Sequence, residues 1–381
     1  MGVFYEFFAG GGMARAGLGP SWSCVFANDF DPKKATSYAV NWGAEHLKVG
    51  DVAKVTPADL PGTADLAWAS FPCQDLSLAG AGAGLKGDRS GTFWPFWKLM
   101  KALTAEGRPP RLIVLENVCG AITSHGGKDF ATIGAALVGG GYRFGAVVMD
   151  AVHFVPQSRP RLFIVAVLAS LPVPAGLVAG GPDENWHSAA LMVAHGKLSK
   201  RSQDAWMWWC LPAPPVRSTT FADLIEDKPK GVAWHTQEET RRLLAMMSPI
   251  NLAKVEAAKR SGRRMIGGIY KRTRADDAGD KIQRAEIRFD DVAGCLRTPA
   301  GGSSRQSIMT IEGNKVRSRL LSPREAARLM GLPDDYKLPE NYNEAYHLAG
   351  DGVAVPVVRF LAAHILESVL ASAAFAEQKA A

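Results

Sequence analysis

The residue with the widest chemical reach in this 381-residue chain is Cys73, in the run ADLAWASFPCQDLSLAGAGAG. Asp65 to Phe71 reads as a short buried strand, and Pro72, with no N–H to donate, ends its ladder. Cys73 then stands on the turn beyond the strand's carboxyl end, the edge where open parallel α/β sheets bind ligands. A thiolate there is a strong nucleophile, whereas a free cysteine in most settings packs as a small hydrophobe. Two further motifs set charged groups at strand ends. In LIVLENV, Glu116 closes an apolar run. Such a carboxylate is costly to desolvate, so it either shares a proton with a ring nitrogen of a heterocycle or pairs with a nearby arginine. In VPQSRPRLFIVA, Arg159 and Arg161 flank Pro160 just before a strand, and alternation points them the same way. Their rigid donor forks suit a carbonyl oxygen or a phosphate; two solvated arginines at a strand start are the alternative.

A glycine cluster, FYEFFAGGGMARAGLG, begins on the first strand. Glycines between a strand and a helix let a ligand approach the backbone, and the helix N-terminus favours polar or negative groups. The spacing is not the phosphate fingerprint GxGxxG, and Gly10-Gly11-Gly12 alone says little. It gains meaning from two acids that follow. Asp29 in VFAND closes the second strand, where a carboxylate can bind ribose hydroxyls, and Asp51 in KVGDV can accept from an adenine amino group. In this order the three read as a site for an adenosine-type cofactor.

The elements that must hold these residues are short, apolar strands alternating with helices. Strands are predicted at 3–8, 23–28, 65–71, 111–116, 144–150 and 161–167, with helices at 32–42, 92–106 and 129–139. That alternation predicts an α/β fold with a doubly wound, mostly parallel sheet. After Leu168 the texture becomes rich in Pro and Gly, tryptophans gather in DAWMWWCLPAPPV, and helical character returns from about Leu320. Ser322-Pro323 with Glu325 has the form of an N-cap, N1 and capping box. The domains expected are 1–168 for cofactor and catalysis, 169–317 as a smaller second domain, and 318–381 completing the first.

Composition narrows the partners. Between Lys254 and Arg319 sixteen Lys/Arg face eight Asp/Glu, a net of +8, while the rest of the chain sums to −1. An excess confined to one stretch is the footprint of a surface that meets nucleic-acid phosphates. No apolar run reaches the ~18 residues of a membrane span, and the N-terminus has no basic region or cleavage site of a secretory signal. Five scattered cysteines without a CxxC pair predict neither zinc nor disulfides, and place the protein in a reducing cytoplasm.

Taken together, FFAGGGMARAGLG, AND, GDV, SFPCQDLSLAG, GDRSGTFW, LENV, PQSRPRLFIV, RLLSPREAARLMGLPDDY and GDGVAVPVVRFLAAHI resemble, in order, the motifs of DNA (cytosine-5) methyltransferases of bacteria and phages. The resemblance covers most of the chain outside 171–318. It implies that Cys73 attacks carbon 6 of a flipped-out cytosine while Glu116 holds nitrogen 3 and the exocyclic amine. Arg161 would contact the ring carbonyl, with Arg159 in support. The implied cofactor is S-adenosylmethionine, bordered by Phe8, Ala9, Gly10, Gly12 and Pro72, with Asp29 on the ribose and Asp51 on the adenine. Asp351 and Val353 belong to a late motif that usually reads Gly-Asn-Ser-Val and here reads Gly-Asp-Gly-Val, which bears on cofactor affinity. The segment 78–91 would close over the base. The basic stretch, ending in LRTPAGGSSRQSI, would recognise one short site in double-stranded DNA through residues among Arg263, Arg264, Arg272, Arg274 and Arg288. The resemblance implies a monomer away from membranes, in some settings paired functionally with a restriction endonuclease. Rival readings are a tRNA cytosine-5 methyltransferase of the same fold and a catalytically inactive DNA-binding homologue.

Overall fold

The computed structural model describes residues 2–72, 92–275, 279–297 and 305–380. Cys73 and the segment 78–91 lie outside the described residues, as does 298–304 of LRTPAGGSSRQSI. The chain divides into two compact units, the first comprising Met1–Asp150, Pro160–Pro214 and Val353–Ala381, the second Ala151–Arg159 and Pro215–Gly352.

The first unit is built on a seven-stranded sheet. Its strands are β1 (Gly2–Phe7), β2 (Trp22–Asp29), β3 (Leu47–Val49), β4 (Leu66–Ala69), β5 (Leu112–Val118), β6 (Tyr142–Asp150) and β7 (Pro160–Leu168), in the order β3-β2-β1-β4-β5-β7-β6. β1 pairs in parallel with both β2 and β4, so chain direction across the sheet reverses between β1 and β4. The loops after these two strands therefore flank the switch point, where ligands bind in such sheets. β4 (LAWA) is buried throughout and β5 (LIVLENV) nearly so, as strands covered on both faces must be. β7 alone runs antiparallel, to both neighbours. Only residues 151–159 separate it from β6, too few for the dozen or more that a parallel crossover needs.

Helices α1 (Met13–Leu18), α2 (Pro32–Trp42), α3 (Phe93–Ala105), α4 (Gly120–Thr123) and α5 (Lys128–Gly139) cover the sheet. The Asp31 side chain caps α2 by accepting from Lys33 N, with Pro32 at the first helical position. α3 buries Phe93, Phe96, Trp97, Met100 and Leu103 in the core that also takes Phe7, Leu115 and Ile164. The segment expected to open the second domain at Ala169 instead stays with this unit up to Pro214. It carries β8 (Val178–Ala179), α6 (Ala189–Gly196), α7 (Lys200–Asp204) and β9 (Trp208–Trp209). Met207 N donates to Phe144 O at 2.7 Å, and Phe144 N to Ala205 O at 3.0 Å, so the tryptophan run is laced to β6. A Cβ on Gly145 would lie 2.0 Å from Met207 O, which is why a glycine interrupts that strand.

The second unit centres on a four-stranded antiparallel sheet, β11-β10-β12-β13, of β10 (Met265–Ala275), β11 (Lys281–Arg288), β12 (Ser307–Glu312) and β13 (Lys315–Leu320). α8 (Gln237–Ala245) and α9 (Pro249–Arg260) supply Leu243, Val255 and Ala258 to a core with Ile269, Ala285, Ile287, Met309 and Ile311. The expected boundary at Arg317 falls inside β13, and α10 (Pro323–Leu329) and α11 (Tyr342–Asp351) extend the unit to Gly352. The expected capping box is present: Ser322 Oγ accepts from Glu325 N, and Glu325 Oε2 accepts from Ser322 N at 2.7 Å. The same carboxylate takes the Arg319 guanidinium at 2.6 and 2.7 Å, both side chains fully enclosed.

From Val353 the chain rejoins the first unit as α12 (Val355–Leu361) and α13 (Glu367–Ala380). α1 crosses α12 at Gly17, where a Cβ would stand 2.4 Å from Val358 Cβ. Trp22 Nε1 donates to Glu367 Oε1 at 3.0 Å, tying the last helix to the start of β2. The stretch Tyr342–Lys379 is long and apolar enough to cross a membrane, against the expectation that no such run exists, yet half of its most apolar window is buried inside the protein. Packing of Val357, Leu361, Ile365, Leu366 and Val369 accounts for that apolarity.

Candidate active site

The turn after β1 is built to leave its backbone open. Phe8 and Gly10 take left-handed φ values of 57° and 56°, and a Cβ on Gly10 would meet nothing within 4 Å. Gly12, also left-handed, is crowded instead: a Cβ there would strike Trp42, whose indole N–H donates to Gly11 O at 2.9 Å. Ala9 is buried and its N–H donates to Asn28 O at 2.9 Å. Asp29 holds the turn from the end of β2, with Oδ2 accepting from Gly10 N at 2.7 Å and Oδ1 from Asp31 N at 2.8 Å. Burial pushes the Asp29 carboxyl up, and those two N–H groups pull it down. Asn28 Nδ2 reaches Lys48 O and Gly50 O at 2.8 and 2.9 Å, which binds the β3 loop to the same edge. There Asp51 accepts from Ala53 N and caps a short 3-10 turn. The structure thus brings Phe8, Ala9, Gly10, Gly12, Asp29 and Asp51 to the carboxyl ends of β1–β3.

A residue not anticipated from sequence stands beside them. Phe30 is 75% exposed, an aromatic ring left in water next to Asp29. A carboxylate for ribose hydroxyls, a flat apolar face and an open glycine turn together fit an adenosine-type cofactor. The signal was present as an apolar residue directly after the strand-ending acid. Beneath the turn lies Glu6, which accepts from Arg15 N and from the Tyr38 hydroxyl; burial pushes its carboxyl up to about 8.

Across the switch point, Glu116 and Arg161 meet. They extend from β5 and β7, whose register sets Val118 against Arg161, and Arg161 Nε lies 3.4 Å from Glu116 Oε1. Both side chains are largely buried, so the pair is poorly screened. Arg161 also donates to Pro160 O at 2.9 Å. Of the two fates open to the carboxylate, the arginine partner is the one observed. The next residue, Asn117, sends Nδ2 to Phe71 O at 3.1 Å and accepts from Val118 N at 2.9 Å. It thereby fixes the carbonyl preceding Pro72, and with it the chain that leads to Cys73. Asparagine in an otherwise apolar strand was the available sign.

Arg159 departs from expectation. The strand starts only at Pro160, so alternation does not govern Arg159, which belongs to the second unit. Its guanidinium is buried and donates to Cys295 Sγ, Leu296 O, Gly350 O and Gly352 O at 3.2, 3.1, 2.8 and 2.7 Å. Four acceptors from two chain segments make it an organiser of that unit. Asp351 ends α11 in the second unit, while Val353 is buried in the first. Among the described residues no cluster of His, Cys, Asp and Glu has the spacing to hold a metal.

The model of the C-5 cytosine-specific DNA methylase family matches residues 3–367. The Type II methyltransferase M.BsuFI of Bacillus subtilis is 26% identical over 97% of this chain and 73% of its own length. M.MspI of a Moraxella species is 24% identical over 95% of this chain and 70% of its own. Among solved structures, the Entamoeba histolytica methyltransferase EhMeth superposes with a TM-score of 0.64 at 13% identity, covering 97% of this chain and 98% of that one. A match running from β1 into α13, through both units, establishes what the motifs implied: this chain belongs to the C-5 cytosine-specific DNA methylase family.

Proposed function

We propose that this DNA cytosine-5 methyltransferase works through Cys73, Glu116 and Arg161, and that its second unit selects the site. The observation that carries the reading is the Glu116–Arg161 pair on β5 and β7, joined through Asn117 to the strand end that precedes Cys73.

Carbon 5 of cytosine is a weak nucleophile. Addition of the Cys73 thiolate to carbon 6 breaks the ring's aromaticity and moves electron density to carbon 5. Glu116 holds nitrogen 3 and the exocyclic amine, so that charge developing on the ring is stabilised where it appears. Arg161 binds the ring carbonyl and orients Glu116. Phe8, Ala9, Gly10, Gly12 and Pro72 would border S-adenosylmethionine, with Asp29 to hold its ribose, Asp51 its adenine and Phe30 to cover the ring. Bound there, the cofactor supplies an electrophilic methyl group to carbon 5. Loss of the carbon 5 proton and of the sulfur–carbon 6 bond then restores the aromatic ring and frees Cys73. The target base must leave the duplex to reach this edge, at roughly a few kcal/mol. Arg159 supports the site indirectly, by fixing the segments around Leu296 and Gly350–Gly352; Asp351 and Val353 tune cofactor affinity.

The likeness to Type II methyltransferases favours a mark that protects DNA from an endonuclease of the same specificity, and we propose that the enzyme acts as a monomer in the cytoplasm. Bisulfite sequencing of plasmid DNA from cells making the protein tests the mechanism and the selection of one site. One short, fully methylated site is expected, absent with Cys73→Ser although that variant still shifts a duplex containing it. Methylation retained by Cys73→Ser overturns the mechanism.

A further inference from the structure

We infer that Arg272 reads a guanine of the target site through its guanidinium fork, with Tyr270 and Glu286 as its positioning residues. This rests on the proposal that the second unit meets DNA. Structure separates Arg264 and Arg288 from Arg272 among the arginines that sequence left undivided. Arg264 is engaged by Asp227 and Glu312, Arg288 by Asp290, and Arg319 by the enclosed Glu325. Arg317 lies over the Trp234 ring at 4.3 Å. These charges have protein partners, although Arg288 also lines a groove of the second unit.

Arg272 is placed differently. It stands on β10 beside a groove of about 550 Å³ in the second unit, lined also by Asn251, Lys254, Lys271, Gln283 and Glu286. Its side chain is 53% exposed, lies 5.9 Å from the Tyr270 ring centroid, and has Nε 3.4 Å from Glu286 Oε2. The Tyr270 ring is itself fixed: its hydroxyl accepts from Gly294 N and, at 3.3 Å, from Gln306 Nε2. A Cβ on Gly294 would stand 2.5 Å from that ring, so the backbone is packed directly against it. Directly opposite Arg272 on β11 is Arg284, a like-charge pair that destabilises a sheet by itself. The arrangement makes sense against an electron-rich partner.

The chemistry separates phosphate from base. A phosphate takes a cation in many orientations and is repelled by a carboxylate alongside it, so Glu286 is misplaced in a phosphate clamp. A base edge demands an arginine fixed in direction, and the commonest such contact is a two-pronged bond to guanine O6 and N7. A guanidinium set beside an aromatic ring and a carboxylate, at the lip of a groove of mixed donors and acceptors, meets that demand.

Two measurements test this separately from the reading beneath it. Hydrogen exchange with and without a duplex carrying the methylated site should show protection of β10 and β11. No protection overturns DNA binding by this face, and the inference with it. Tritium transfer is then measured on duplexes changed one base pair at a time, and on duplexes with 7-deazaguanine at each guanine. Wild type should discriminate by about 5- to 150-fold at one guanine, the equivalent of about 1–3 kcal/mol. It should also slow when that guanine alone loses N7. Arg272→Gln and Arg272→Lys should lose both effects at that position and keep discrimination elsewhere. Glu286→Gln should weaken them only while Arg272 is present. Melting temperatures unchanged from wild type show that the variants fold. If Arg272→Gln instead weakens all sequences alike, lowers the salt slope by about 1 and leaves the preference intact, Arg272 holds a phosphate and the inference fails.

Discussion

Glu6 should make the first unit lose stability as pH rises, and Glu6→Gln should remove that loss. The side chain is 1% exposed on β1, under the cofactor turn, and burial pushes its carboxyl from 4.5 up to about 8. The native state therefore keeps a proton that the unfolded chain has already released. Below pH 4.5 both states are protonated and the stabilisation is complete. Above it, unfolding releases a proton, and each pH unit removes about 1.4 kcal/mol until native Glu6 itself ionises. Between pH 6 and 8 the loss is roughly 2 kcal/mol from this group. In Glu6→Gln the amide oxygen can still accept from Arg15 N, and the amide N–H can donate to the Tyr38 hydroxyl. That hydroxyl then turns its proton toward Cys24 Sγ, 3.4 Å away. Urea unfolding of both proteins at pH 6, 7 and 8, followed by tryptophan fluorescence, measures the difference. The variant should gain on wild type by roughly 2 kcal/mol across that range. A difference that stays flat with pH, or a variant that falls behind as pH rises, refutes the argument.

Gly17→Ala drives a methyl group into Val358 and the Val355 carbonyl. Overpacking of this kind costs about 1–3 kcal/mol; a lowered melting temperature, partly restored by Val358→Ala, is expected. Arg319→Met leaves Glu325 charged in a closed interior and should destabilise the second unit by about 3–5 kcal/mol, with much of the loss recovered in Arg319→Met/Glu325→Leu. Calorimetry of the two variants distinguishes a lost pair from a stranded charge. Asn117→Ala frees the Phe71 carbonyl and should lower kcat more than tenfold while cofactor affinity, read by calorimetric titration, stays near wild type.

How much was legible follows from what each kind of residue encodes. β1, β2, β5 and β7 are readable because strands covered on both faces are mostly apolar, with polar residues toward their ends. β3, three half-exposed residues, carries no such pattern and was missed. The antiparallel turn into β7 is readable from loop length, but composition does not show it. The tryptophan-rich segment looked foreign to the sheet domain, yet Gly145 marked where it lies against β6. The candidate site residues stand out in the sequence because polar groups are rare in buried strands. Arg159 misled: its spacing from Arg161 implied a shared direction, and only tertiary contacts reveal a guanidinium surrounded by acceptors of the second unit. Arg319 was invisible as a core residue, because its partner Glu325 already satisfied a local capping rule.

The contact between α1 and α12 also sets an order of events during synthesis. Gly17 is made near the start of translation and Val358 near its end. At about 5–20 residues per second the α1 face that receives α12 stays open to water for roughly 20 to 70 s. The second unit has its last residue at Gly352, six residues before Val358, so its chain is complete just before α12 arrives to close the sheet that carries the chemistry. Chains halted between Gly352 and Val358 would present the proposed DNA-reading unit complete and the first unit still open. Such products would occupy sites without marking them.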